Sequence, residues 1–257
     1  MAAPDVFERR SRIDAPAAEV FAWHLRDGAF ERLLPPGDGT IVLERTGSIE
    51  QDTMRVTLSV PVLGPIRQRW DVRHEGYVAG HRFVDVMERG PFSHWRHEHR
   101  IEVIDDGSCE LVDHVEYSLP AGALGRTFGG GIVRRRLDSM FDHRHAVTRN
   151  DVSAHTAASL EPLRIELVGR WRDRALQQQV AAFLATGGHL VATPRPLAGA
   201  RDVHEFSDPD VRITQDETCD MCVELRDGPN REVDLVGSAV MDPRRVLSSI
   251  VALRATA

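Results

Sequence analysis

Six strand-like segments in series, followed by one long amphipathic helical stretch, restrict this chain more than any other feature of its sequence. The segments run roughly over residues 40–46, 53–60, 65–75, 81–89, 94–104 and 110–119, and turn residues bound them: Gly47, Pro61 with Gly64, Gly76, Gly90-Pro91 and Asp106-Gly107. Links this short predict an antiparallel meander. Val56, Leu58 and Val60 share one face, as do Ile66, Trp70 and Val72, whereas Arg55, Arg67, Arg69, Asp71 and Arg73 take the other. One face is therefore buried and one wet.

After Pro120 and the flexible run Gly129-Gly130-Gly131, the spacing of Val133, Leu137, Met140, Phe141, Val147 and Val152 predicts a helix over about 132–155. A lone amphipathic helix needs an apolar surface, and the meander's buried face is the only large one upstream. The helix is expected to lie across it. Ahead of the meander, Val6 to Ile13 reads as a strand, and Asp14 as the N-cap of a helix through Val20, Phe21 and His24. A second short helix over 29–34 stops at Pro35-Pro36. The fold class of the first part is α+β, one antiparallel sheet wrapped round a long C-terminal helix.

Composition narrows the function. With 257 residues, 42% of them hydrophobic, there is material for a real core. A net charge of -7 and a pI near 5.9 argue against a nucleic-acid partner, which selects for a basic face. No apolar run approaches the roughly 20 residues of a membrane helix, and Met1 to Arg10 lacks the blocks of a signal peptide, so no membrane partner and a cytoplasmic location are expected. Three cysteines, with a lone Cys219-Asp220-Met221-Cys222 motif, read as reduced, buried thiols. All 32 basic residues are arginine, which excludes Schiff-base and P-loop lysine chemistry.

A boundary at Leu160 to Pro162 divides the chain into residues 1–158 and 159–257. Beyond it, a strand over 163–168, a helix over 172–186 and a strand over 189–193 form a βαβ opening of α/β type.

Period-two geometry places Trp95, His97, His99, Ile101 and Val103 on the inner face of one strand, and Leu111, Asp113, Val115, Tyr117 and Leu119 on one face of the last. Polar groups on an apolar wall need partners. A histidine beside a carboxylate across neighbouring strands gives an oriented imidazole able to move protons, so His97, His99, Asp113 and Tyr117 are the candidate catalytic residues. The default reading is that they satisfy one another or fix a ligand's polar end without chemistry. His94 points to the opposite face, and two strand-spaced histidines are a weak zinc signal even with Asp113 to complete a set, so no metal is expected.

The order strand, two short helices, six strands and long helix resembles the helix-grip fold of the START-like (SRPBCC) superfamily of polyketide cyclases and lipid-transfer proteins. More narrowly, Ala15-Pro16-Ala17-Ala18-Glu19-Val20-Phe21-Ala22-Trp23-His24, Ala29-Phe30-Glu31-Arg32-Leu33-Leu34-Pro35-Pro36 and Gly90-Pro91-Phe92-Ser93-His94-Trp95-Arg96-His97-Glu98-His99 are similar to the cyclase/dehydrase-like domain fused to some short-chain epimerases. That resemblance covers nearly all of the first 155 residues. It implies an apolar ligand cavity between sheet and helix, lined by some of Trp23, Phe30, Trp70, Phe83 and Trp95, with Leu137, Met140 and Phe141 from the helix.

Residues 159–257 resemble, more weakly, the start of the epimerase half, a Rossmann nucleotide-binding domain. Its glycine-rich turn reads here Val168-Gly169-Arg170-Trp171-Arg172-Asp173-Arg174-Ala175. On that alignment Arg172 replaces the glycine that admits the pyrophosphate, and Asp173 adds negative charge beside it. Leu225-Arg226-Asp227 replaces an expected Leu-Ala-Gly, and the family's catalytic tyrosine and lysine are missing. Arg195, after the second strand, stands where an arginine can hold a 2′-phosphate, but without the glycines it reads as a surface arginine. The resemblance thus implies a degenerate segment without a cofactor, which packs on the first domain, docks a partner or forms a homodimer contact. For the whole chain it leaves three readings: binding of a small apolar or aromatic, polyketide- or lipid-like ligand; a cyclase or dehydratase in which Tyr117 polarises a carbonyl; and a scaffold acting through the degenerate segment.

Overall fold

Period-two alternation, interrupted by local register shifts, and short turns produce the expected meander. The computed structural model describes residues 3–35, 37–63, 65–169, 171, 173–194, 206–215, 221–226, 230–232 and 242–255. Contacts divide the chain into two units, one of Met1–Ala22 with Leu33–Arg149, the other of Trp23–Arg32 with Asn150–Ala257.

In the first unit, β1 (Asp5–Ile13) is followed after two short helices by β2 (Ile41–Thr46), β3 (Arg55–Leu63), β4 (Ile66–Val78), β5 (Arg82–Arg89), β6 (His94–Asp105) and β7 (Ser108–Ser118). All pairings are antiparallel, and the order is β1-β7-β6-β5-β4-β3-β2, so the first strand closes on the last and β2 is left at an edge. The long helix α3 (Gly122–Ala158) follows. Leu137 and Phe141 of α3 are buried against Phe7, Trp95, Val115 and Tyr117, with the Phe7 and Phe141 rings 5.2 Å apart. This is the helix-grip arrangement, an α+β fold.

Four expectations need correction. The glycine run 129–131 lies inside α3, which starts ten residues before the expected 132; each glycine costs a helix about 1 kcal/mol, a penalty that a 37-residue helix carries when its apolar side is packed. Helix α1 (Ala17–Leu25) begins beyond the reach expected of Asp14, whose carboxylate takes a hydrogen bond from Arg12 Nε at 2.9 Å. Ile66 and Val103, placed on the buried face by parity, are 60% and 64% exposed, each near an end of its strand. Cys222 is disulfide-bonded, not a free thiol; Cys109 is free and buried, and Cys219 lies outside the described residues.

The second unit gathers β8 (Arg164–Val168), α4 (Arg174–Thr186), β9 (Leu190–Ala192), β10 (Val211–Thr214), β11 (Cys222–Leu225), β12 (Asn230–Glu232) and α5 (Arg244–Arg254). The sheet order is β12-β11-β10-β8-β9, with β8 parallel to both β9 and β10. Ile165, Leu167, Val180, Phe183, Leu184, Ile213, Met221, Val246 and Ile250 form its dry core. The end of α1 and most of α2 (Ala29–Leu33) belong here too. Gly28 permits this: its φ is +85°, and a Cβ there would lie 2.5 Å from the Ala182 carbonyl oxygen.

Candidate functional site

The inner face of the sheet carries a run of alternating acids and bases. Register produces it. Asp85 on β5 is the direct partner of His97 on β6, and His99 on β6 is the partner of Asp113 on β7. Each carboxylate is therefore also diagonal to the other histidine, and directly opposed Cβ atoms lie about 5 Å apart, within reach of these side chains. His74 on β4 is the partner of Asp85, which extends the run to a fourth strand.

Asp113 is the hub. Its Oδ1 lies 2.8 Å from His97 Nε2 and 2.8 Å from His99 Nδ1, while Oδ2 lies 2.7 Å from His145 Nε2, brought in by α3. Asp85 forms the other centre: Oδ1 is 2.8 Å from His74 Nε2, and Oδ2 is 3.2 Å from His99 Nε2 and 3.6 Å from His97 Nδ1. His97, His99, Asp113 and His145 are buried and Asp85 is partly open. Phe83 stacks on His99 with ring centres 4.3 Å apart, and Phe141 meets His97 edge-on at 5.1 Å.

Burial opposes ionisation of the two carboxylates, yet His99, His145 and His97 around Asp113, and His74, His99 and His97 around Asp85, hold both well below the usual carboxylate range. Burial likewise opposes the charge on His99, but Asp113 and Asp85 together raise it to about 9. Arg144, half-buried on α3 with its guanidinium 5.4 Å from the Phe141 ring centre, is pulled below its ordinary value by burial against the attraction of the same carboxylates.

The linkage has a definite sign. His99 is raised on folding, so its contribution is complete below its unfolded value near 6.5 and is lost as pH climbs through about 9. The carboxylates are lowered, so theirs is present above about 4 and lost below. Stability should accordingly fall by on the order of 3 kcal/mol between about pH 6.5 and 9, and His99→Asn should flatten that slope. Urea unfolding across this range in a chelating buffer, which keeps stray divalent ions off the imidazoles, measures it; an unchanged slope in His99→Asn would contradict the assignment.

Of the four residues expected to act together, His97, His99 and Asp113 do meet. Tyr117 does not: it is four residues along β7 from Asp113, opposite Trp95, with its ring 5.9 Å from Phe92. Burial raises its hydroxyl, and the charges nearest it are Asp5, Arg134, Arg126 and Asp138. Among the expected lining residues, Trp70 and Trp95 pack edge-to-face at 5.1 Å beside Phe92, with Met140 also partly buried there. Leu137 and Phe141 are core. Trp23 and Phe30 are carried into the second unit with the chain on either side of Gly28.

Sequence reasoning missed His74, Asp85 and His145, although the signals were there. His74 shares parity with Val72, Asp85 with Phe83, and His145 follows Phe141 by four residues on the packed face of α3. In the second unit, Asp173 caps α4, its Oδ1 accepting from the amides of Ala175 at 2.8 Å and Leu176 at 3.2 Å. Those are donors a pyrophosphate would need, so this helix start does not fit a dinucleotide. Arg170, Arg172, Arg195 and Asp227 lie outside the described residues.

The family described as polyketide cyclase/dehydrase and lipid transport matches residues 13–141. Among solved structures, the chain is similar to a nucleoside-diphosphate sugar epimerase from Corynebacterium glutamicum, at 24% identity and TM-score 0.58 over 83% of this chain. It spans only 46% of that protein's length. It is also similar to the Zhui aromatase/cyclase from Streptomyces sp. R1128 (20% identity, TM-score 0.44, 61% of this chain and 96% of that one). A START superfamily protein from Mycobacterium smegmatis matches at 12% identity and TM-score 0.44, over 58% of this chain and 97% of that one. No curated protein matches the sequence. No helix among the described residues is long and apolar enough to cross a membrane.

Proposed function

We propose, from the premise that the chain belongs to the polyketide cyclase/dehydrase and lipid transport family, that its first unit binds a small apolar or aromatic molecule between the inner sheet face and α3. One observation carries this reading: the partly open side chains of Trp70, Met87, Phe92 and Met140 form an apolar wall on the buried Trp95 and Tyr117, on the same sheet face as the His–Asp cluster. Such a surface offers an aromatic ligand stacking partners, and the cluster offers its polar end hydrogen bonds. Native mass spectrometry of the full chain purified from its own host should find a retained small molecule, and Trp70→Ala should weaken retention. Protein that carries nothing, and whose tryptophan fluorescence does not respond to polycyclic aromatic probes, would overturn the reading.

A second reading, a cyclase or dehydratase, is favoured by Asp113 holding three imidazoles at once. An imidazole oriented by a carboxylate accepts a proton in one step and returns it in another, which aldol-type ring closure and loss of water both require. His97 and His99 are the proton carriers in this reading, with Asp113 positioning them. Tyr117, away from the cluster, contacts the far end of a ligand. For residues 159–257, the parallel strands flanking β8 and the Asp173 cap support descent from an epimerase segment that no longer takes a nucleotide; a partner-docking or homodimer role suits it.

A further inference from the structure

The two centres of the cluster are built differently. Around Asp113 every contact is 2.7–2.8 Å, the length of strong charge-assisted hydrogen bonds. Around Asp85 Oδ2 the imidazole nitrogens stand off at 3.2 Å for His99 Nε2 and 3.6 Å for His97 Nδ1, and the second is too long for a hydrogen bond. These spacings match something else. Ligand atoms at about 2.0–2.1 Å from a tetrahedral zinc ion are separated from one another by about 3.3 Å. Asp85, His97 and His99 each offer one donor atom, and all three lie within 4.8 Å of one another.

The outer contacts suit the same purpose. A metal-bound imidazole needs its lone pair on the metal side and its N–H on the other, and a carboxylate behind the ring sets that tautomer. Asp113 does this for both rings: its Oδ1 takes His97 Nε2 and His99 Nδ1, which turns His97 Nδ1 and His99 Nε2 toward Asp85. His74 Nε2 lies 2.8 Å from the other oxygen of Asp85, and His145 Nε2 anchors Asp113 through α3.

We infer that His97 Nδ1, His99 Nε2 and Asp85 Oδ2 form a binding site for a divalent transition-metal ion, zinc being the closest chemical fit, with Asp113 and His74 as outer partners that position the ligands. Sequence reading expected no metal because it counted two strand-spaced histidines and never saw Asp85 opposite them. Three protein ligands leave a fourth position for water or an oxygen of a bound molecule.

The test uses the full chain without an affinity tag, stripped with a chelator and titrated with Zn²⁺ or Co²⁺ alone. One equivalent should bind, raise the melting temperature and, with Co²⁺, give the intense visible bands of a tetrahedral site. Asp85→Asn should weaken binding by more than about 100-fold, the upper end of what loss of an outer partner costs, whereas His94→Ala, on the wet face, should change nothing. No binding, Asp85→Asn binding like the parent, or binding lost in His94→Ala would each overturn the site. Zinc K-edge absorption of the unmutated protein decides the matter even if Asp85→Asn does not fold: a shell with two imidazoles and no sulfur supports the site, and a shell with sulfur or without imidazole refutes it.

Discussion

Asp113→Ala should cost about 3–5 kcal/mol of folding stability, the range for breaking a buried ion pair by removing one partner. The carboxylate is shared by His97, His99 and His145, all buried, so its loss strands three imidazoles at once. Each stranded donor forfeits a hydrogen bond and keeps its desolvation cost. Because one hub serves all three, single losses will not add: His97→Phe or His145→Phe should each cost less than Asp113→Ala, and the coupling is read from double-mutant cycles. Asp113→Asn, which keeps the volume and one acceptor oxygen, should recover part of the loss. Urea unfolding at pH 6, where the cluster contributes fully, is the measurement. A loss for Asp113→Ala below about 1 kcal/mol would mean that the imidazoles find other partners and that the hub is not one.

The second large effect lies in the second unit. Arg32 grips Asp151 with two parallel bonds, Nε to Oδ2 at 2.7 Å and Nη2 to Oδ1 at 2.8 Å, and Arg32 Nη1 donates to Gln179 Oε1 at 2.7 Å. The Asp151 side chain is 1% exposed, that of Arg32 12%. Burial outweighs Arg32 and leaves the Asp151 carboxyl above its ordinary value, so the pair recovers less than its desolvation costs. Two opposite outcomes follow for single and double variants. Asp151→Ala should destabilise by about 3–5 kcal/mol, because it leaves a buried guanidinium unpaired. Arg32→Met combined with Asp151→Leu should return most of that, since an apolar pair of similar volume carries no desolvation cost. Equal losses in the single and double variants, by thermal or urea unfolding, would show that Arg32 acts through packing on Phe183, whose ring centre is 5.6 Å from its guanidinium carbon, and not through charge.

Much of the first unit was legible because period-two alternation is local. Each of the six expected strands has its counterpart in β2 to β7, and the inward parity of His97 and His99 on β6 and of Asp113 on β7 follows from counting residues along each strand. What failed were inferences about how far along a strand or helix the packing reaches. Tyr117 has the same parity as Asp113 but sits too far along the strand to join it. Ile66 and Val103 have inward parity yet lie exposed near the ends of their strands. The glycine run 129–131 reads as a break in a propensity scale, yet the helix continues through it to Leu137 and Phe141, which are packed in the core.

From the order of residues alone follow the meander, the covering helix, the buried face and the presence on it of two imidazoles and a carboxylate. Register and helix rotation decide the rest. A strand shifted by one residue would turn Asp85 or Asp113 to the wet face, and α3 turned by a quarter would take His145 from Asp113. These offsets are set by the packing of Phe7, Trp95, Val115, Leu137 and Phe141, residues distant in sequence whose fit no single segment encodes. Tertiary packing therefore turned three candidate residues into a six-membered acid–base cluster, and brought Asp85 Oδ2 to the distances from two nitrogens that suggest a metal.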